Sequence, residues 1–131
     1  APSFGAYVTG HGHRGGSYVR VFEQGAQKLM AVKTALAAGF PVVIGSPVAE
    51  SYLVSDGLHT IDKPGTGDRL AGGHAQVLAA YQGRTAGTAF RVINSWGHGW
   101  RDSGRAWLTE DYVAWSQLEA WVCHGWEVRS S

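Results

Sequence analysis

The sequence has little cysteine, no excess of either charge and no long apolar run. Only one of its 131 residues is a cysteine, Cys123, so a disulfide cannot form within the chain. The formal net charge of +1 provides no basic field for nucleic acid or an anionic membrane, and we expect neither as a partner. No segment approaches the roughly 18 apolar residues of a membrane span. The first residues lack a basic region and a hydrophobic run, so no signal peptide is predicted.

The residues that are abundant indicate a folded chain with many turns. Hydrophobic residues make up 44% of the sequence and charged residues 16%, a balance typical of a globular domain. The 19 glycines and 6 tryptophans favour turns and short strands covered by aromatic side chains over a helical bundle. The length corresponds to one domain. We divide it into a glycine-rich N-terminal arm, residues 1–18, and a folded domain, residues 19–131.

Residues 24–38 have the pattern of an amphipathic helix. Three apolar residues fall on one stripe of this helix: Leu29, Val32 and Leu36. Lys28 and Lys33 are expected to face water. Gly39 and Pro41 follow as a stop signal, so the helix should end near residue 38.

Apolar segments bounded by turn residues predict five strands. They are residues 41–44, 74–81, 88–94, 105–108 and 118–128. Residues 50–72 carry several turn signals and are expected to form a long loop, and residues 109–115 a short turn. One main helix followed by antiparallel strands predicts an α+β domain, in which the strands form a small antiparallel β-barrel or a curled sheet.

The strands 74–81 and 88–94 are joined by a glycine-bearing loop and predict a β-hairpin. With the loop centred near Arg84, His74 lies opposite Asn94 or next to it. Opposed side chains on one face have Cβ atoms about 4.5–5.5 Å apart, so the Asn94 carboxamide oxygen can accept a hydrogen bond from one imidazole nitrogen. The other nitrogen is then held ready to exchange a proton with a nucleophile. A slip by one residue would put the two side chains on opposite faces.

Three consecutive segments resemble the papain-like cysteine peptidase family. Residues 72–81, Gly-Gly-His-Ala-Gln-Val-Leu-Ala-Ala-Tyr, resemble the segment around that family's catalytic histidine. Residues 90–100, Phe-Arg-Val-Ile-Asn-Ser-Trp-Gly-His-Gly-Trp, resemble the segment around its catalytic asparagine, and residues 101–108 resemble the turn and strand that follow. The resemblance covers about residues 19–113, and its most specific part is the Asn-Ser-Trp-Gly block.

The resemblance implies a fold and a set of site residues. The fold would be the right-hand, C-terminal half of a papain-like enzyme. His74 would be the general base, or the imidazolium partner of a thiolate, Asn94 would orient it, and Trp96 would shield their hydrogen bond from water. A purely structural interpretation is that Trp96 and Trp100 cover the edge of the sheet, and the two interpretations are compatible.

The nucleophile of the family is not found in this sequence. It is a cysteine at a helix N-terminus, with a glutamine upstream that helps to hold the oxyanion, and both belong to the first half of the family's fold. Residues 23–31 loosely resemble that stretch, but the alignment places Met30 at the nucleophile, and a thioether cannot be deprotonated. Cys123 is interpreted as a buried small hydrophobe on the last strand, with His124 directed to the other face.

The sequence offers little support for a metal or a cofactor. His11 and His13 are two potential ligands in the glycine-rich arm, without a third nearby, and are interpreted as part of a solvated loop. No paired carboxylates and no phosphate-binding loop are present. We therefore expect no metal and no cofactor.

Two functions remain open at this point. The first, which we prefer, is an inactive papain-like module, a pseudoenzyme, that serves as a structural or binding part of a larger assembly such as a virion. The second is the His/Asn half of an active cysteine peptidase whose nucleophile lies on another chain or on a removed upstream segment. By itself the chain is not expected to be competent as a peptidase.

A partner is expected on the sheet face that bears His74 and Asn94. The partner would be another protein or the missing N-terminal half of the fold. That face should either be packed against the partner or expose three apolar neighbours: Leu78, Phe90 and Val92.

Overall fold

The computed structural model describes residues 17–53, 60–93 and 104–124. Over these residues the chain is an α+β domain with a mostly antiparallel sheet and one main helix, as predicted. Its elements in chain order are β1 (Ser17–Val21), α1 (Gly25–Ala37), β2 (Val42–Ala49), a 3₁₀ turn (Glu50–Leu53), β3 (Leu70–Arg84), β4 (Gly87–Ile93), β5 (Arg105–Thr109), α2 (Glu110–Ala114) and β6 (Glu119–His124).

The six strands form one open sheet with the order β1-β6-β2-β3-β4-β5. The predicted curled sheet is therefore present, but the predicted β-barrel is wrong for the described part of the chain, because β1 and β5 are opposite edges and do not pair. Ile61 occupies the outer edge of β5 instead. Its amide donates to the carbonyl of Trp107 at 2.8 Å, and its carbonyl accepts from the amide of Thr109 at 2.9 Å.

The helix α1 ends as its sequence predicts. Gly39 has a φ of +88°, which favours glycine, and its amide donates to the carbonyl of Leu36 at 3.0 Å. The amide of Phe40 donates to the carbonyl of Ala35 at 3.0 Å. These two bonds form a Schellman motif, which turns the chain directly into β2.

The expectation that Lys28 faces water is wrong. Lys28 is 1% exposed, and its ammonium donates to the carbonyls of Trp115 at 2.6 Å and Leu118 at 2.8 Å. It lies one helical turn before Val32 and two before Leu36, so it belongs to the buried stripe. Its long stem carries the charge through the apolar layer to the two carbonyls, and burial lowers its pKa.

The main core lies between one face of the sheet and the two helices. It contains the three apolar residues expected beside the candidate site, Leu78, Phe90 and Val92, and each is 0% exposed. The expectation that these side chains would be exposed or covered by a partner is therefore wrong. The alternation of β3 and β4 directs them towards α1 and α2, and the chain's own helices bury them.

The two ends of the described chain differ from the sequence-based boundaries. The strand β1 was not predicted, and it begins at Ser17, so the last two residues of the predicted arm pair with β6. The rest of the arm lies outside the described residues. The predicted last strand is present as β6, described up to His124. The predicted turn after β5 is the short helix α2, and the Thr109 hydroxyl caps it by accepting from the amide of Tyr112, its third residue, at 3.2 Å.

The predicted hairpin is confirmed, but its predicted centre is wrong. Arg84 lies opposite Gly87, so the turn is formed by the two residues after Arg84 and not by a loop centred on it. The pairing then shifts by one residue between Leu78 and Ala80. The described ladder ends at the pair Val77–Ile93.

None of the helices in the described ranges is long and apolar enough to cross a membrane.

Candidate active site

His74 lies on the β3 segment that pairs with β2. It is directly opposite Ser46, and the preceding pair on this side is Gly73 with Pro47. Regular pairing breaks immediately beyond, between Pro47 and Ala49, and Gly72 has a φ of +118°. His74 is half-buried and therefore sits where an ordered sheet gives way to an irregular end, a position that suits a side chain that must be both fixed and accessible.

The strand pairing determines which side chains accompany His74. In antiparallel pairs, opposite residues point to the same face, as do residues two apart on one strand. His74 therefore shares its face with Ser46 across the ladder and with Gln76 on its own strand. The same face carries the apolar core residues Leu78 and Ile44.

The hydroxyl groups of two tyrosines form hydrogen bonds with these polar neighbours. The hydroxyl groups of Ser46 and Tyr112 are 3.1 Å apart and hydrogen-bonded, and Tyr112 comes from α2. The hydroxyl of Tyr52, in the 3₁₀ turn, donates to Oε1 of Gln76. The two tyrosine rings pack against each other with centroids 5.9 Å apart. A buried polar cluster, consisting of Ser46, Tyr52, Gln76 and Tyr112, thus lies on the His74 face of the sheet.

The polar cluster is electrically neutral at ordinary pH. Burial raises the pKa of Tyr112, and its hydrogen bond with Ser46 opposes that effect in part. A phenol with a raised pKa remains protonated and can keep donating a hydrogen bond. The cluster therefore supplies fixed dipoles rather than charges on the His74 face.

The sequence identified His74 but not the polar cluster that accompanies it. Gln76 could have been found from alternation, since it stands between His74 and Leu78 on the buried face of a predicted strand. No comparable signal marks Tyr52 or Tyr112, which approach the strand from a turn and a helix distant in sequence.

The two other predicted site residues, Asn94 and Trp96, lie outside the described residues, as does Trp100. The pairing of His74 with Asn94 beneath Trp96 therefore stays a prediction. The described ladder ends at Ile93, the residue before Asn94, which is opposite Val77 on β3.

Cys123 is placed as predicted. It is 1% exposed and packs with Val43, Val77 and Trp121 in a small cluster separate from the main core. Burial raises the pKa of its thiol, which disfavours the reactive thiolate. His124 is exposed and packs against the ring of Phe40, with centroids 5.0 Å apart, so it does not activate the neighbouring thiol.

Cys123 is also remote from His74. Its amide donates to the carbonyl of Pro41 at 3.0 Å, whereas His74 pairs with Ser46. Five residues of extended chain separate Pro41 from Ser46, a distance of about 16 Å. The two side chains also lie on opposite faces of the sheet, because Cys123 packs with Val43 and His74 accompanies Ser46.

Within the described ranges, no three His, Cys, Asp or Glu side chains come together in a group that could hold a metal ion. His11 and His13 lie outside those ranges. Met30, which the loose alignment placed at the nucleophile, is 67% exposed in the middle of α1. Met30 is therefore not at a helix N-terminus, where the helix dipole could activate a side chain.

The fold as a whole is similar to that of xylellain, a cysteine protease from Xylella fastidiosa. The TM-score is 0.69 and the sequence identity 32%, and the match covers 98% of this chain and 46% of xylellain. The chain has a papain-like fold. The part of the family's fold that it represents is the C-terminal half.

Two further proteins are similar to this papain-like domain, one in fold and one in sequence. The bromelain protease of Ananas comosus, in complex with the inhibitor E64, shares its fold with a TM-score of 0.57 and 16% identity, over 81% of this chain and 48% of bromelain. An uncharacterized peptidase C1-like protein of Acanthamoeba polyphaga mimivirus is 34% identical over 85 residues, which are 63% of this chain and 27% of the viral protein. No protein-family profile matches the sequence. The domain therefore spans about half of the solved relatives and about a quarter of the viral one.

Proposed function

We propose that this papain-like domain supplies the histidine side of a cysteine peptidase active site, and that a nucleophile-bearing segment outside this sequence completes it. The observation that carries the proposal is the position of His74. It is a half-buried imidazole at the irregular end of a well-ordered ladder, in a chain that is 32% identical to a cysteine protease over 98% of its length.

The partner residue of the imidazole would be Asn94. The ladder supports this assignment, because Ile93, the residue before Asn94 in the sequence, is opposite Val77, three residues from His74 on β3. The carboxamide would fix the tautomer and direction of the ring, and Trp96 would keep water from their hydrogen bond. These are the roles that the family's matching segments imply for the three residues.

The chemistry would follow from a thiol brought to the free imidazole nitrogen. His74 would take the thiol proton, and the thiolate would attack the carbonyl carbon of a peptide bond. The imidazolium would return the proton to the leaving amine as the tetrahedral intermediate collapses to a thioester. Water would then hydrolyse the thioester, with His74 acting again as the base.

The thiol would have to come from elsewhere. Cys123 is buried, its pKa is raised, and it lies on the other face of the sheet from His74. The same observation favours a second candidate function, the inactive binding module, if no nucleophile is ever supplied. The assignment to a virion or another particle stays a prediction.

A chimera with xylellain tests the proposal. In the chimera, the present chain replaces the half of xylellain that it matches, and the rest of xylellain is kept. The chimera is incubated with an epoxide inhibitor of the E64 type and with a fluorogenic peptide amide. We expect covalent labelling outside the present chain, and a loss of labelling rate of about 10²–10⁴-fold in His74→Ala, the range for a general base.

The matched control is Cys123→Ala, which should label at the unsubstituted rate. Circular dichroism and cooperative unfolding establish that each protein is folded. A folded chimera that neither labels nor cleaves the peptide, while xylellain does both, would contradict the enzymatic proposal and favour the inactive module.

A further inference from the structure

The polar cluster under the His74 face of the sheet has no role in the chemistry described so far. Its four polar side chains are buried beside a largely apolar core, and Ser46, Tyr52, Gln76 and Tyr112 are 6%, 2%, 3% and 1% exposed. Burial of polar groups is costly unless their hydrogen bonds are made, and an apolar set of similar shape would pack without that cost. The placement of the cluster therefore needs an explanation.

Each member of the cluster fixes a strand that carries or flanks His74. Tyr112 ties α2 to β2 through Ser46 and also donates to the carbonyl of Pro47 at 3.5 Å. Tyr52 ties the 3₁₀ turn to β3 through Gln76. Because the two rings pack together, the bonds on β2 and those on β3 form one connected unit.

The unit lies close to the point where the β2–β3 ladder shifts its register. Pairing between β2 and β3 is regular up to Pro47 and shifts before Ala49. His74 lies opposite Ser46, and their Cβ atoms are therefore about 4.5–5.5 Å apart. The imidazole and the Ser46 side chain therefore share one face of the sheet, and the Ser46 hydroxyl is hydrogen-bonded to Tyr112.

We propose that Ser46 and Tyr112, supported by Tyr52 and Gln76, are positioning residues that fix the direction of the His74 imidazole. The inference deepens the proposed function, on which its catalytic meaning rests. The hydroxyl groups of Ser46 and Tyr112 restrict the imidazole ring from the side of β2. The proposed function assigns Asn94 to hold the same ring through its other nitrogen. A ring held from two sides keeps one nitrogen directed at an incoming thiol, and small misplacements of such a group reduce rates strongly.

The first test is made on the 131-residue chain and needs no activity. Histidine rings are labelled with ¹³C, and the His74 signal is identified by its loss in His74→Gln. We expect a single sharp signal in the unsubstituted chain. In Ser46→Ala and Tyr112→Phe we expect either two signals or ring relaxation that is faster by about twofold or more, because the ring samples more than one orientation.

The matched control is Tyr81→Phe. Tyr81 is 40% exposed and packs on Phe90, outside the polar cluster, so removal of its hydroxyl should leave the His74 signal unchanged. If both cluster variants lower the melting temperature but leave the His74 signal as it was, the cluster is only structural and the inference is wrong. Should Tyr112→Phe fail to fold, Ser46→Ala, which keeps the tyrosine ring, decides the question.

The second test separates this inference from the proposed function. In the xylellain chimera, Tyr112→Phe should react with the epoxide about tenfold more slowly, with little change in the concentration that half-saturates the rate. An unreactive unsubstituted chimera would contradict the proposed function alone, since the ring relaxation still decides the positioning role. A reactive chimera in which Tyr112→Phe reacts at the full rate would contradict the positioning role alone.

Discussion

The ammonium group of Lys28 donates a hydrogen bond of 2.8 Å to the carbonyl of Leu118, 90 residues further along the chain. A second bond, of 2.6 Å, reaches the carbonyl of Trp115. These contacts fasten α1 to the segment between α2 and β6. Since α2 carries Tyr112, the lysine also supports the helix that contacts the candidate site.

Lys28→Met should destabilise the domain. The methionine fills much of the same volume but leaves the Leu118 carbonyl without its donor, at a cost of about 1–3 kcal/mol in the free energy of unfolding. Urea unfolding followed by tryptophan fluorescence measures the change. Lys33→Met, on the same helix but half-buried, is the control and should change the free energy by less than about 0.5 kcal/mol. Equal effects of the two substitutions would contradict the role of the buried bonds.

Gly87→Ala should destabilise the β3–β4 hairpin. Gly87 has a φ of +117°, and a Cβ atom there would lie 2.6 Å from Oε1 of Glu110. The Glu110 carboxylate accepts a bond of 3.0 Å from the Thr88 amide, so it cannot move away without losing that contact. We expect a loss of about 1–3 kcal/mol, measured by thermal or urea unfolding. In the same strand pair, Gly83→Ala meets no atom within 4 Å and should cost clearly less.

Cys123 should make the stability of the domain fall at alkaline pH. Burial raises the pKa of its thiol in the folded chain, whereas the thiol in the unfolded chain has a pKa of about 8.5. Its contribution is fully present below that pH and is lost as the pH rises through the folded value, because the unfolded state loses its proton first. The free energy of unfolding, measured between pH 7 and pH 10, should fall more steeply than that of Cys123→Ala. Parallel curves would contradict this assignment.

Asn94→Ala should slow the xylellain chimera less than His74→Ala does. The asparagine is assigned to orient the imidazole and not to exchange the proton, so an orienting loss of about 10–10²-fold is expected in the rate of reaction with the epoxide. Gln82→Ala, on the exposed part of β3, is the control and should react at the full rate. An Asn94→Ala chimera with the unsubstituted rate would contradict its assignment as the orienting residue.

Much of the fold could be predicted because local patterns decided it. The α1 boundaries follow from the apolar stripe and from Gly39, which supplies the φ of +88° that ends the helix. The β3–β4 hairpin follows from two apolar runs around a glycine-bearing loop. Its register did not follow, because the choice of a two-residue turn and the one-residue shift near Leu78 depend on packing between strands.

The role predicted for His74 also rests on a local pattern, and it stays a prediction. His74 stands in a segment, residues 72–81, whose sequence resembles the segment around the catalytic histidine of papain-like enzymes. The polar cluster joins side chains from β2, the 3₁₀ turn, β3 and α2, such as Ser46 and Tyr112, which are 66 residues apart. No sequence period connects such residues, so their meeting could not be read from the chain alone.

By itself, the sequence determined the α+β class, the main helix, the hairpin and the histidine on which the proposed chemistry depends, since each is fixed by neighbours within about ten residues. Only the tertiary structure decided that the sheet stays open, that Lys28 is buried and that Leu78, Phe90 and Val92 face the chain's own helices. These outcomes depend on which surfaces, distant in sequence, are buried against one another. The free energy of that burial is set by packing across the whole domain.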